Sequence, residues 1–259
     1  MTTTPIAIPA SHPALAQGLG ADALVLRPAA ERFHSQLDWL DSWHSFSFSS
    51  HYDPAWMGFG PLRVINDDTI AAGSGFGMHP HRDMEIITVM LEGELHHRDS
   101  MGHAEVLRAG EVQRMSAGTG VVHSEVNGGH QPCRLLQIWI EPSTSGLAPA
   151  YEQRPFPPQP GQWTPLLDPE RRGGAMAIER PVRLWRGQLA PQQRLAWPQG
   201  LAAADGLWLQ LLEGELRAPW ALRRGDGLGL AWPAPELSPE PAPLEAAAAG
   251  ADLLLFALA

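Results

Sequence analysis

Apolar residues fall in short runs along this chain, broken every few positions by Gly, Pro, Asn or Asp, and no run keeps a helical period. Ala23–Arg27 reads as a first strand. Leu62–Ala72 (LRVINDDTIAA) reads as two strands joined at a turn by Asn66, Asp67 and Asp68, residue types that favour turns. Met84–Leu91 carries Ile86, Ile87, Val89 and Leu91 and reads as a buried strand. Gly93 permits a turn or bulge, and Glu94–Arg98 returns. Val106–Leu107 and Val112–Met115 are further short strands around Gly110. Val121–Val126 follows, and the strongly apolar Arg134–Ile140 (RLLQIWI) closes this half. Strands this short and this regular predict an all-β barrel or sandwich.

Before that half, LDWLDSWHSFSFSSHYDPAWMGFGP is rich in aromatics, Ser and Gly. It reads as a short strand or ordered loop folded over the barrel, with Trp39, Trp43, Phe46 and Phe48 as packing residues. Residues 141–165 are dominated by Pro and Gly and read as a linker. Beyond them Arg183–Leu189, Leu207–Leu212, Leu228–Trp232 and Asp252–Leu258 form a second set of strand-like runs. Pro233–Pro243 is expected to loop out, and Ala246–Ala249 to make a helical turn.

The two halves echo each other. Leu91-Glu92-Gly93-Glu94-Leu95 recurs as Leu212-Glu213-Gly214-Glu215-Leu216. In each half an Arg-x-Gly-acidic turn follows, Arg108 to Glu111 and Arg223 to Asp226. Two features in one order at similar spacing predict a duplicated barrel. The expected organisation is a lead-in over 1–22, a first barrel over 23–142, a linker over 143–165 and a second barrel over 166–259.

Composition narrows the function. The 259 residues are 44% hydrophobic and 18% charged, with 26 Gly and 25 Pro, which suits many strands joined by tight connections. A net charge of −10 disfavours a surface built to neutralise phosphates, so direct nucleic-acid binding is not expected. The single cysteine, Cys133, excludes an intrachain disulfide and reads as a buried, inert thiol. The N-terminus lacks the basic start and apolar run of a signal peptide, and no apolar stretch is long enough to span a membrane. A cytoplasmic protein is the expectation.

The candidate chemistry lies between Gly73 and Asn127. His79-Pro80-His81 and His123-Ser124-Glu125 each place two metal-binding side chains on one face of an extended strand. Three imidazoles and one carboxylate converging make a site for a divalent transition metal, and open positions would admit water, O2 or a substrate oxygen. The positions corresponding to His79 and His81 in the second half are Gly200 and Ala202, and no His follows His130. One barrel is therefore expected to be active and the other structural. Glu85 reads as a supporting or surface residue near the His pair. His96 and His97 face opposite ways and read as strand-end residues, one of which could look toward the pocket. His103 and His130 read as surface residues.

These residues resemble the pirin family, a branch of the cupin superfamily. Gly73, His79, His81, Glu85 and Gly93 follow the first cupin motif. Gly110, Gly118, His123 and Asn127 follow the second, with Ser116 where Pro is usual. DSWHSFSFSSHYDP, MGFGPLRVIND, HPHRDMEI and MSAGTGVVHSE extend the likeness, as do QIWIEP and YEQRPF. The resemblance implies a bicupin, two jelly-roll (double-stranded β-helix) barrels in tandem. It implies metal ligands at His79, His81, His123 and Glu125. The expected ion is Fe(II), with Mn, Co, Ni, Cu and Zn as alternatives.

The subgroup most resembled is the bacterial pirin-like proteins assigned quercetin 2,3-dioxygenase activity. That implies ring opening of a flavonol by O2 with loss of carbon monoxide, with Glu125 as the base for the 3-hydroxyl. The expected partners are a small aromatic, flavonol-like substrate and O2. The alternative is a metal- and redox-dependent regulator that binds a protein partner in transcription or metabolism.

Overall fold

The computed structural model describes residues 24–201, 204–231 and 242–259. Within them the chain forms β-strands and a few single 3₁₀ turns, with no α-helix. The strands of the leading half are β1 (Leu24–Arg27), β2 (Phe33–Gln36), β3 (Leu40–His44), β4 (Leu62–Ile70), β5 (Gly75–His81), β6 (Glu85–Glu92), β7 (Glu94–Asp99), β8 (Ala104–Arg108), β9 (Glu111–Ser116), β10 (Val121–Val126), β11 (Cys133–Ile140) and β12 (Ala150–Pro155). Those of the trailing half are β13 (Trp163–Leu167), β14 (Arg183–Leu189), β15 (Arg194–Leu195), β16 (Gly206–Ala218), β17 (Leu222–Arg223), β18 (Gly227–Ala231) and β19 (Leu244–Leu258). No helix among the described residues is long and apolar enough to cross a membrane.

Two open sheets make the leading jelly roll. One runs β12-β9-β6-β11-β4-β3-β2 and the other β5-β10-β7-β8. Leu95 and Leu107 of the smaller sheet join Leu40, Ile70, Met90, Cys133 and Leu135 of the larger in one buried cluster between them. The trailing half is a single eight-stranded sheet, β1-β18-β16-β19-β14-β13, with β15 and β17 alongside β19 and β16. Register shifts in β16 bend it, and a second apolar cluster gathers Leu216, Leu222 and Leu244 with Leu209, Leu228 and Leu253. The fold is the expected all-β, cupin-type jelly roll in two halves.

The central strands β6 and β11 of the large sheet are buried on both faces, which explains their nearly continuous apolar sequences. On β11, Leu136, Ile138 and Ile140 pack into a seam with Leu166, Trp208, Leu254 and Phe256 of the trailing half. Leu135, Gln137 and Trp139 face the interior of the leading half instead. Polar contacts also cross the seam. The Arg134 guanidinium donates to both carboxylate oxygens of Asp67 at 2.8 and 3.0 Å, and to Glu213.

The internal echo is structural. Gly93 and Gly214 both adopt positive φ, 74° and 73°, as do Gly110 and Gly225, 84° and 86°. Ala109 N–H donates to the Gly93 carbonyl and Gly110 N–H to that of Met90, at 3.1 and 3.0 Å. Arg224 N–H donates to Gly214 and Gly225 N–H to Leu211 in the same way, at 3.1 and 2.9 Å. In each turn the acidic residue accepts from the Arg backbone N–H, Glu111 from Arg108 and Asp226 from Arg223.

Four details differ from the sequence expectations. Leu62–Ile70 is one strand, not two around a turn: Asn66, Asp67 and Asp68 stay extended opposite Gln137, Leu136 and Leu135. Arg134 and Ser42 satisfy two of these polar side chains, so no turn is needed to expose them. Ala246–Ala249 lies inside strand β19, where tertiary pairing overrides the helical propensity of alanine. The Pro-rich 143–165 segment is structured, with β12 added to the edge of the leading sheet beside β9 and β13 begun in the trailing one. Strand β1 crosses over and pairs with β18. The expected lead-in over 1–22, and all but the end of the Pro233–Pro243 loop, lie outside the described residues.

Candidate metal centre

Strands β5 and β10 are antiparallel neighbours, with His123 opposite His79 and Val121 opposite His81. His79 and His81 sit two residues apart and face the same way. The three rings meet: centroids are 4.5 Å apart for His79–His123, 4.8 Å for His79–His81 and 4.9 Å for His81–His123. One ring nitrogen from each lies within 4.8 Å of the others.

Their hydrogen-bond state suits a cation. His79 Nδ1 lies 2.7 Å from the Gly77 carbonyl. A carbonyl oxygen only accepts, so Nδ1 carries the proton and the Nε2 lone pair is left available. His123 is 1% exposed, and neither of its ring nitrogens has a hydrogen-bond partner. A buried polar group is rarely left so without a ligand to complete it. Burial, reinforced by the neighbouring His123 and His79, pushes the His81 pKa down to about 4. Burial, with His79 and His97 nearby, pushes His123 down to about 3. Both rings are therefore neutral at physiological pH, the state in which imidazole binds a metal. The residues present fit a divalent transition metal.

Glu125 lies two residues beyond His123, past a register shift in the β5–β10 ladder. It groups with His97 and His123 rather than with His79 and His81. Its carboxylate is buried and held by neutral donors. Oε1 accepts from Gln113 Nε2 at 2.5 Å and Thr88 Oγ1 at 3.1 Å, and Oε2 accepts from Gln137 Nε2 at 2.7 Å. Thr88, Gln113 and Gln137 each interrupt an apolar stretch of strand. That interruption was their only signal in the sequence, and it did not say what they would meet.

A cleft of about 390 Å3 opens beside the imidazoles. Trp39, Phe48, Phe76 and Trp139 supply aromatic walls, and Glu125 and Gln137 reach it from within. Phe48 meets Trp139 edge-on at 5.5 Å, and His81 meets the same indole at 5.0 Å. Of the aromatics read from the sequence as packing residues, Trp39 and Phe48 line the cleft, whereas Trp43 stacks on His34 at 4.0 Å and Phe46 packs on Trp208 across the seam. At one end of the cleft Ser42 donates to the buried Asp68. Burial, opposed by that hydrogen bond, raises the Asp68 pKa to about 7.

The remaining candidates fall into place around this centre. Glu85 is 1% exposed and accepts from Ser116 Oγ at 2.8 Å, so it is buried support rather than surface. His96 is half-buried and points outward beside Glu94, whereas His97 is fully buried against His123. His103 keeps partial exposure, bound to Asp99 and stacked on Tyr151. His130 is exposed. Cys133 is buried, and burial raises its thiol pKa to about 11.

A family model described as Pirin matches residues 27–140. The quercetin 2,3-dioxygenase of Escherichia coli strain K12 is 47% identical over 194 residues, 74% of this chain and 83% of that protein. The crystal structure of YhhW from Escherichia coli matches with a TM-score of 0.83 at 41% identity, covering 92% of this chain and 98% of that one. A nickel(II) complex of bacterial pirin YhhW matches with a TM-score of 0.81 at 42% identity, covering 91% and 99%. Fold, histidine cluster and sequence likeness agree: the chain belongs to the pirin family.

Proposed function

We propose that this protein is a metal-dependent dioxygenase that opens the ring of a flavonol, consuming O2 and releasing carbon monoxide. The carrying observation is the meeting of three imidazoles at the rim of an aromatic-walled cleft, with a buried carboxylate beside them. Relatives named quercetin 2,3-dioxygenase and a nickel(II)-bound pirin support the reading. His79, His81 and His123 would hold the ion, with Glu125 as the fourth ligand, and Fe(II) is the proposed metal. When bound, a divalent ion of this kind supplies Lewis-acid polarisation of a substrate oxygen and acidifies its hydroxyl.

The chain's own residues do the rest. Trp39, Phe48, Phe76 and Trp139 receive a flat aromatic substrate and keep water from its faces. Glu125 takes the proton of the flavonol 3-hydroxyl. Gln113, Gln137 and Thr88 fix the carboxylate toward that task without neutralising its charge. The leading half carries the chemistry, and the trailing half, which contains no His, is scaffold.

The test is to incubate metal-loaded protein with quercetin while measuring O2 uptake and carbon monoxide. Stoichiometric consumption and release are expected. Tight metal binding with neither signal would overturn the enzymatic reading and favour a redox-responsive binding protein.

A further inference from the structure

The cleft has a polar end as well as a metal-facing one. Trp139, against which His81 packs, stands opposite Val64 in the β4–β11 ladder. Asp68 lies four residues beyond Val64, roughly 13 Å along the same strand. Across the β3–β4 ladder Asp68 stands opposite Ser42, and Asn66 opposite His44. All four residues line the cleft, and all four are buried.

Hydrogen bonds at this end run in one direction. Ser42 Oγ donates to Asp68 Oδ1. That spends its single proton, so toward His44 Nδ1, 3.4 Å away, it accepts. Burial lowers the His44 pKa and keeps the ring neutral, so Nε2 accepts from Ser35 Oγ at 2.9 Å. Ser35 Oγ accepts in turn from His51 Nε2 at 3.0 Å. Each proton of the chain points toward Asp68, and none is left for a ligand. What remains is acceptor capacity. The Asp68 carboxylate has lone pairs beyond the one that Ser42 uses. Burial raises its pKa because a single hydrogen bond does not replace the lost water. Asn66 lies beside the His44 ring, yet its Oδ1 is buried with no hydrogen-bond partner. A buried acceptor without a donor is costly, so two such groups on one strand face call for a ligand that brings protons.

We propose that Asn66 and Asp68 select the substrate by receiving the hydroxyls of a catechol-type ring, held at the end of the cleft away from the imidazoles. A phenolic ring with neighbouring hydroxyls brings two donors, and its carbon faces suit the aromatic walls. A bare phenyl ring displaces water and leaves both acceptors unpaired. The two residues hold the substrate and take no part in breaking its bonds. This selection rests on the flavonol reading of the cleft.

The test measures binding without turnover. Fe(II)-loaded protein under argon is titrated by calorimetry with quercetin and with galangin, a flavonol that differs only in having no hydroxyls on its pendant ring. Wild type is expected to bind quercetin at least about 10-fold more tightly, the effect of hydrogen bonds to a charged group. Asn66→Leu and Asp68→Asn are each expected to shrink that ratio by weakening quercetin while leaving galangin unchanged. A merely structural role would weaken both flavonols alike and preserve the ratio, which overturns the selection. Equal wild-type affinity for the two flavonols overturns it as well, with the flavonol reading left standing. Binding of neither flavonol overturns both. Should Asn66→Leu not fold, Asp68→Asn, which removes a buried charge and keeps the shape, decides alone.

Discussion

His123 stands directly across the β5–β10 ladder from His79, and their rings are 4.5 Å apart. The ladder fixes this approach, because the backbone hydrogen bonds of two antiparallel strands set which side chains face each other. His123 is also the member that both donor groups share. His123→Ala is therefore expected to lower metal affinity more than the roughly 10–100-fold typical of losing an outer partner of a ligand. Quercetin-dependent O2 uptake should vanish with it. Elemental analysis after desalting reads the first effect and an oxygen electrode the second; full metal content would remove His123 from the centre.

Glu125→Gln preserves shape and most hydrogen bonding but cannot accept a proton. Turnover should fall by about 10²–10⁴-fold, the usual contribution of a positioned general base. Some metal should be retained, because the three imidazoles remain when the fourth ligand is weakened. Normal turnover would exclude Glu125 as the base.

Phe48→Ala removes a wall of the cleft and its edge contact with Trp139 without touching a metal-binding nitrogen. Such aromatic pairs contribute roughly 0.5–1.5 kcal/mol. KM for quercetin should rise about 2- to 10-fold on that basis, with bound metal unchanged. Steady-state kinetics with parallel metal analysis checks both halves of the prediction.

Asp68 supplies a pH dependence of stability. Its folded pKa is raised to about 7 from an ordinary value of 3.8, chiefly by burial. A raised carboxyl favours the fold below its unfolded pKa, and that contribution is lost as pH climbs through the folded value. Asp68→Asn carries no such titration. Relative to wild type it should gain stability between pH 4 and 8, by up to about 4 kcal/mol. Urea unfolding of both proteins across that range measures the difference; a constant gap would refute it.

Gly214 marks the bend of β16 that mirrors Gly93. Its φ is 73°, and a Cβ there would collide with the Gly250 carbonyl oxygen. Gly214→Ala should destabilise the chain by more than the ~1–2 kcal/mol of the left-handed backbone alone. Metal binding per folded molecule should not change, because the centre lies in the other half. Thermal melting and metal analysis of the folded fraction test this.

How much of this was legible in the sequence depended on range. The His-Pro-His and His-Ser-Glu spacings fixed which side chains share a strand face, and the repeated Leu-Glu-Gly-Glu-Leu located the two bends. Residues whose role depends on a distant partner were not legible. Gln113, Gln137 and Thr88 looked like lone polar interruptions until β9, β11 and β6 converged on Glu125. Asn66, Asp67 and Asp68 looked like a turn because Arg134 and Ser42, which satisfy two of them inside a strand, are far away in the chain. His97 and His96 were equivalent on paper. Only the pairing of β7 with β10 put His97 inside and His96 out.

The seam between the halves bears on how the chain can be cut. Phe46, Phe59, Leu62 and Ile138 are covered by Trp208, Leu254 and Phe256, and β1 leaves the leading half to complete the sheet of the trailing one. A truncation after Pro155 would strip the oily back of the large sheet and strand β1 without a partner. The histidine-free portion is thus a lid over apolar surface that the metal-bearing portion cannot hide by itself, and a fragment ending there is expected to aggregate rather than bind an ion.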